Sequence, residues 1–428
     1  MMLIHTVVPH KAVRRVVVTA ALLVTLAGGM WLMQTRTAAT ANIAPETSRA
    51  ITQEGAARWE ALLQRAPDNR YALAQLGLAR LAAARVTADP ALYTQAQAAF
   101  DQVLAADPRQ IDALVGQGML ALARHDFAGA LVWADRAAAV NPRRVDVLGI
   151  RVDGLVELGR YDEAVAAAQA MVDLRPGLEA YARISYLREL HGQVDGAIAA
   201  MQAAVDAGVP GEERTLWCQV QLGRLFAGRG DLDRAAATFN AALATSPTYL
   251  KAEAELALVD AARGNLAQAS TRLAPVVEQL PIPQYVIALG DLYRAQGDDA
   301  AAETQYELAR ALQQLNAAAG MDVDLELARF LADHGDTARR AEAVRLARRA
   351  YATRATIHTA DVLAWALYRN GDAYAAWPFM EEALRLGTQD ARLHLRAAEI
   401  ARAVDLRPIA DAHEMTAYTI IPTLKPRQ

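Results

Sequence analysis

Along most of the chain, apolar residues return every three or four positions, the period of a helix that buries one face. Two alternating marks cut this pattern into helices. Pro108, Pro142, Pro176 and Pro210 stand 34 residues apart, and Pro247 and Pro281 follow at steps of 37 and 34. Midway between the prolines lie Gly159, Gly192, Gly230, Gly264, Gly297, Gly335 and Gly371, most of them followed within a few residues by Asp or Asn. Glycine at such a point takes the left-handed conformation that ends one helix, and Asp or Asn caps the next. Proline then stops the second helix because it has no N–H to donate. The chain is therefore expected to be all-α and built from repeated helix–turn–helix units.

Within the units the apolar residues keep a fixed order. One unit carries Leu222-Gly223, Phe226, Ala235, Phe239, Ala242 and Pro247; another carries Leu289-Gly290, Tyr293, Ala302, Tyr306 and Ala309; the unit ending at Pro281 has Leu256, Ala269 and Leu273. This pattern resembles the tetratricopeptide repeat family. The resemblance implies an α-solenoid of about nine helix pairs between residues 68 and 387, inside a solenoid spanning 47–404. Residues 47–66 and 389–404 read as capping helices, and residues 405–428 as a tail whose Pro408, Pro422 and Pro426 break the repeat. In a solenoid each unit packs on its neighbours and a concave surface results.

The N-terminus follows a different rule. Residues 1–15 form a basic segment with Lys11, Arg14 and Arg15 and no acid, followed by 18 uncharged residues from Val16 to Met33. As a helix this stretch is about 27 Å long, enough to cross a bilayer core. It reads as a transmembrane signal-anchor helix over 16–33, joined by a linker over 34–46 to the solenoid. The basic flank places the N-terminus in the cytoplasm and the solenoid outside it. The alternative is a cleaved signal, since Ala39-Thr40-Ala41 fits a small-x-small cleavage pattern near Ala41.

Composition narrows the chemistry. Alanine supplies 97 of 428 residues and aromatics only 6%, which suits close-packed helices. The formal net charge of −4 argues against a nucleic-acid partner. The single cysteine, Cys218, excludes an internal disulfide and a cysteine-based zinc site, and reads as a buried apolar residue. No two of the eight histidines stand at i,i+4, and His413-Glu414 lacks the second histidine of a zinc-protease motif because Ala417 occupies that place. His125, His191 and His334 fall at turns, where a solvated role is expected. Gly116-Gln117-Gly118-Met119-Leu120-Ala121 matches the dinucleotide fingerprint as a string but lies inside a helix pattern with no preceding strand. No enzyme, cofactor or metal is expected.

Function should then lie in the groove. The family resemblance implies that the first helix of each pair lines the concave face. Carried over unit by unit, the lining includes Tyr71, Leu78, Met119, Asp153, Tyr186, Trp217, Arg224, Leu258, Asp291, Arg294, Arg329, Trp365, Tyr368 and Arg369. The asparagine ladder and the lysine–asparagine clamp of peptide-binding relatives are absent, so a specific folded partner or an amphipathic helix is expected. Asp146, Asp153, Glu157, Glu179 and Glu189 suggest an acidic middle of the groove. Arg339, Arg340, Arg345, Arg348, Arg349 and Arg354 read as a solvated helix face, with an anionic partner as the alternative. The expected role is a membrane-anchored extracytoplasmic scaffold for other envelope proteins. A secreted or periplasmic binding protein and an accessory subunit of an envelope enzyme are the alternatives. Self-association is also open.

Overall fold

The computed structural model describes residues 48–425, and side chains from residue 55. Among the described residues every regular element is helical. A first helix, α1 (Ser48–Arg65), precedes the pairs α2 (Arg70–Thr87) with α3 (Ala91–Ala106) and α4 (Ile111–Ala123) with α5 (Phe127–Val140). Next come α6 (Val145–Glu157) with α7 (Tyr161–Leu174) and α8 (Leu178–Leu190) with α9 (Val194–Asp206). The centre holds α10 (Glu213–Gly228) with α11 (Leu232–Thr245) and α12 (Leu250–Ala262) with α13 (Leu266–Gln279). Then follow α14 (Pro283–Ala295) with α15 (Asp299–Ala318) and α16 (Asp324–His334) with α17 (Thr337–Thr353). The last two pairs are α18 (Ile357–Arg369) with α19 (Ala373–Leu384) and α20 (Ala391–Ala403) with α21 (Arg407–Ile420), closed by the 3-10 turn Pro422–Leu424. We number these ten pairs as units one to ten.

The turn chemistry acts as the spacing implies. Gly159, Gly192, Gly230, Gly264, Gly297 and Gly371 all have positive φ, and Ala88, His125 and Asp405 fill the same place in units one, two and ten. Asp126, Asp231, Asp298, Asp336 and Asp372 each accept the N–H three residues on, as N-caps. Gly335 is an exception: its φ is −78°, and α16 ends in extended backbone.

The C-terminus also differs from expectation. Residues 389–404 are not a terminal cap, and within the tail expected over 405–428 the described residues 405–425 do not lie outside the repeat. They contribute α20 and α21, a tenth pair that buries Ala391, Ala397, Ala410 and Ala417. Pro408 does not break α21 because it sits in the first turn, where a backbone N–H has no helical partner to lose. The span expected over 16–33, the basic segment 1–15 and the linker 34–46 lie outside the described residues. Among the described residues no helix is long and apolar enough to cross a membrane.

Second helices bury one stripe: in α5 it is Phe127, Ala130, Ala134 and Ala137. Several first helices are enclosed on nearly every side; α4 buries every residue from Ala113 to Ala123, and α12 nine of the ten from Ala252 to Ala261. First helices thus form the inner wall and second helices the outer one. Rings from the outer helices press on glycines of the inner ones, Phe239 on Gly223 and Tyr306 on Gly290, where a Cβ would overlap the ring.

The solenoid also touches itself. The turn of unit two hydrogen-bonds the start of unit eight, through Asp322 N–H to the Arg124 carbonyl (2.9 Å) and the His125 ring to the Asp322 carbonyl (2.6 Å). The turn of unit three meets unit nine, where Arg354 pairs with Glu157 at 3.1 Å and the Ile357 N–H donates to the Tyr161 hydroxyl. The turn of unit four meets unit ten, where Thr388 donates to the Leu190 carbonyl. These hydrogen-bonded partners lie 196–198 residues apart, so about six units complete one superhelical turn and successive turns stack. At Gly159 and Gly192 positive φ coincides with close approach: a Cβ would overlap the carbonyl oxygens of Ala355 and Gly387.

Candidate partner-binding groove

The inner wall is laced by polar contacts from one first helix to the next. Gln75 donates to Asp112 (3.3 Å), and Asp112 accepts from Arg144 (2.9 Å). Arg183 grips Asp153 through two nitrogens at 2.9 and 2.7 Å, and Arg214 pairs with Glu179. Lys251 reaches Glu213 at 3.3 Å, Arg224 pairs with Glu255, and Tyr285 donates to the same Glu255 oxygen. The series continues with His334 on Asp291 (2.7 Å), Arg329 near Asp361 (3.6 Å) and Arg396 on Asp361 (2.8 Å). Every successive pair of first helices from α2 to α20 is bridged in this way, α4 to α6 through Arg144 at the N-cap of α6.

Buried charges of this kind are tolerated only when paired, and the pairing sets the direction in which each group titrates. Burial opposes ionisation of Asp333, yet Arg392 and Arg396 outweigh it and hold that carboxyl well below its usual range. Burial, and then the neighbouring Arg396, pull Arg392 down to about 9. Burial likewise works against a charged His334, but Asp291 overcomes it and raises the imidazole above its usual value. Burial pushes the Cys218 thiol far up, so it is an inert core group.

The ladder decides where each expected groove residue ends up. Asp153, Arg224, Asp291 and Arg329 are rungs. Trp365 is buried and donates its indole N–H to Asp333 at 2.6 Å, under the Arg396 guanidinium and beside Tyr368; Arg369 approaches Asp333 at 3.8 Å. Tyr186 lies in the seam instead, hydrogen-bonded to His358 at 3.2 Å. Trp217 is half-buried against the central core, and Leu258 is buried. Arg294 is exposed over the Tyr306 ring. Tyr71 is 56% exposed and packs edge-on against Trp59. Met119 lines a cavity described below.

Three expectations change. His125 is not a solvated turn residue: it is buried in the seam, stacked on Phe127 and near Glu326. His334 and His191 are half-buried, His334 as a rung and His191 bonded to the Leu187 carbonyl. Arg354 leaves the solvated face of α17 for the buried pair with Glu157, while Arg349 pairs with Asp324. Nor is the middle of the groove acidic, because Asp146, Asp153, Glu157 and Glu179 each meet an arginine. Arg144, Arg183, Asp333, Asp361, Arg392 and Arg396 were missing from the sequence-based lining. A signal for them exists, since opposite charges recur about one unit apart, as in Asp153/Arg183 and Arg329/Asp361.

Between units two and five the inner wall opens into a cavity of about 480 Å³. Its apolar surface comes from Met119, Leu122, Ile150, Met171 and Leu174, and its edge carries Arg143 and Arg175. Gly149 makes room for the Arg183 guanidinium, which a Cβ there would touch at 3.0 Å. Among the described residues no group of three or more His, Cys, Asp or Glu is placed to hold a metal ion.

This architecture, repeated helix pairs with an enclosed inner wall and a concave groove, is that of an interaction scaffold. Residues 91–143 and 151–212 match the family model of the tetratricopeptide repeat, which supports a tetratricopeptide repeat protein. It is 27% identical over 245 residues to cellulose synthase 1 operon protein C of Komagataeibacter xylinus. The match takes in 56% of this chain but only 16% of that relative's length. Similar solved structures include a thermophilic TPR protein of Thermus thermophilus, 20% identical, with a TM-score of 0.39, covering 45% of this chain and 98% of that one. A tetratricopeptide repeat protein of Parabacteroides merdae is 15% identical, with a TM-score of 0.42, covering 61% of this chain and 98% of that one.

Proposed function

We propose that the chain is a membrane-anchored, extracytoplasmic scaffold that binds other envelope proteins on its concave face. The observation that carries the binding face is the ladder. It consumes the charges of most of the inner wall, yet leaves an open cavity whose exposed Arg143 and Arg175 have no ion-pair partner among the described residues. The anchor and the orientation rest on the uncharged run Val16–Met33 behind Lys11, Arg14 and Arg15. Partner identity is tested by photocrosslinking in the membrane, with the reactive residue placed at Arg175 on the concave side or at Arg348 on the outer helix α17. Partners captured from 175 and not from 348 support the reading; capture from 348 alone refutes it. Deletion of residues 1–33 should release the chain from carbonate-washed membranes. A mature N-terminus at Asn42 would instead favour the secreted or periplasmic alternative.

A second reading is an accessory subunit of an envelope enzyme. The observation favouring it is the likeness to a cellulose synthase operon protein. It predicts that deleting the chain changes the activity of an envelope polysaccharide synthase while leaving its amount unchanged.

A further inference from the structure

The cavity between units two and five has a composition that selects a ligand. Five arginines line it against three carboxylates. Each carboxylate is already held: Asp146 by Arg144, Asp153 by Arg183 and Glu179 by Arg214. Arg143 and Arg175 remain exposed at the edge with no ion-pair partner among the described residues. Both lie in the short connections from a second helix to the next first helix, beside Pro142 and Pro176, so their backbone is held. The Arg175 N–H donates to the Met171 carbonyl at 2.9 Å and the Arg143 N–H to the Asn141 side chain at 3.0 Å. The same lining carries Val145 and Leu174, both half-buried, packed with the buried Met119, Ile150 and Met171. A volume of about 480 Å³ lies within the range of sites that enclose a small ligand or a few side chains.

We propose that this cavity recognises an acidic segment of a partner protein, in which large apolar side chains enter the cavity and flanking carboxylates meet Arg143 and Arg175. The inference rests on the scaffold reading above and names the chemistry of its partner. A plain polyanion would use the arginines and leave the apolar surface wet. An apolar helix without acids would bury its face but leave both guanidiniums unanswered. A basic segment would be repelled. Only the combination satisfies both surfaces.

The test uses the full chain in detergent and an array of fluorescein-labelled nonapeptides with every pair of large apolar residues at the centre, flanked by two Asp on each side. Matched arrays carry Asn in place of Asp, or Ser-Ser in place of the apolar pair. Binding is read by fluorescence anisotropy at two salt concentrations. Members of the acidic apolar array should bind, more weakly at high salt. The best of them should lose about tenfold on the Asn change, on the Ser-Ser change and in the Arg143→Glu, Arg175→Glu double variant, a factor equal to about 1.4 kcal/mol. The outer-face control Arg345→Glu, Arg348→Glu should stay within about twofold. Both arginines are exposed and have no ion-pair partner among the described residues, so unchanged melting of the variant checks that it folds. No binder in the acidic array overturns the proposal, as does equal binding by the Ser-Ser array or an indifferent double variant. If the array fails while crosslinks from position 175 persist, the cavity assignment falls and the scaffold stands. If crosslinks arise only from position 348 while the array binds, the scaffold reading falls and the pocket stands.

Discussion

Replacing Arg354 by Met tests whether successive superhelical turns hold one another. Arg354 and Glu157 are 3% and 4% exposed, and their side chains meet at 3.1 Å across 197 residues of chain. The guanidinium also lies over the Phe127 ring, 4.7 Å from its centre. Methionine keeps much of the apolar stem but removes this cation from the buried carboxylate. Removing one partner of a buried ion pair costs about 3–5 kcal/mol. A charge pair about 4 Å apart at an effective dielectric near 20 is worth about 4 kcal/mol, in the same range. We expect Arg354→Met to lose about 3–4 kcal/mol in urea unfolding. The Glu157→Gln, Arg354→Met double variant should lose less, because no buried charge remains to be compensated. Small-angle scattering should show the single variant expanding at urea concentrations below the loss of helix, since units three and nine part before the helices melt. A single variant within about 0.5 kcal/mol of wild type, with an unchanged radius of gyration, would refute the stacked-turn argument. So would a double variant no more stable than the single.

Gly192→Ala and Gly264→Ala form a matched pair. Both sites have positive φ, but only at Gly192 does a Cβ meet the next turn; at Gly264 nothing lies within 4 Å. Each should lose about 1–2 kcal/mol from backbone strain, and Gly192→Ala measurably more, by urea unfolding. Trp365→Phe removes the donor to Asp333 while Arg392 and Arg396 still hold that carboxylate, and should cost about 1–2 kcal/mol by the same assay. Two histidines predict opposite pH slopes. The His334 pKa is raised in the fold, so its stabilisation is complete below its ordinary value near 6.5 and is lost as pH rises through the folded value. Burial lowers His394 to about 4, so stability falls as pH drops from about 6.5 toward 4. Melting temperature against pH should lose its alkaline decline in His334→Gln and part of its acid decline in His394→Leu.

Much of the molecule can be read from the chain alone. Proline and glycine at unit spacing, Asp after the turn, and small residues facing rings are local signals acting over a few residues, and they define the helix pairs before any packing is known. The inner-wall ladder is half legible: opposite charges about one unit apart are present, but a free groove residue and a rung look the same until the helices are placed. Where local signals mislead, the reason is also local. Pro408 reads as a breaker but starts a helix, and Gly335 stands in the turn series yet keeps negative φ.

The seam belongs to the tertiary structure. A nearest-neighbour reading of the repeats gives an open spiral, in which His125 is a solvated turn residue and Arg354 one more arginine of a basic helix. In the folded chain both are buried against residues 197 positions away. No period in the sequence announces that contact, because superhelical pitch is a small rotation per unit, accumulated over about six units. Small changes in each unit decide whether the turns touch. Sequence determined the repeat and its turns; only the summed geometry of the units decided which inner-wall charges pair and that successive turns close on one another.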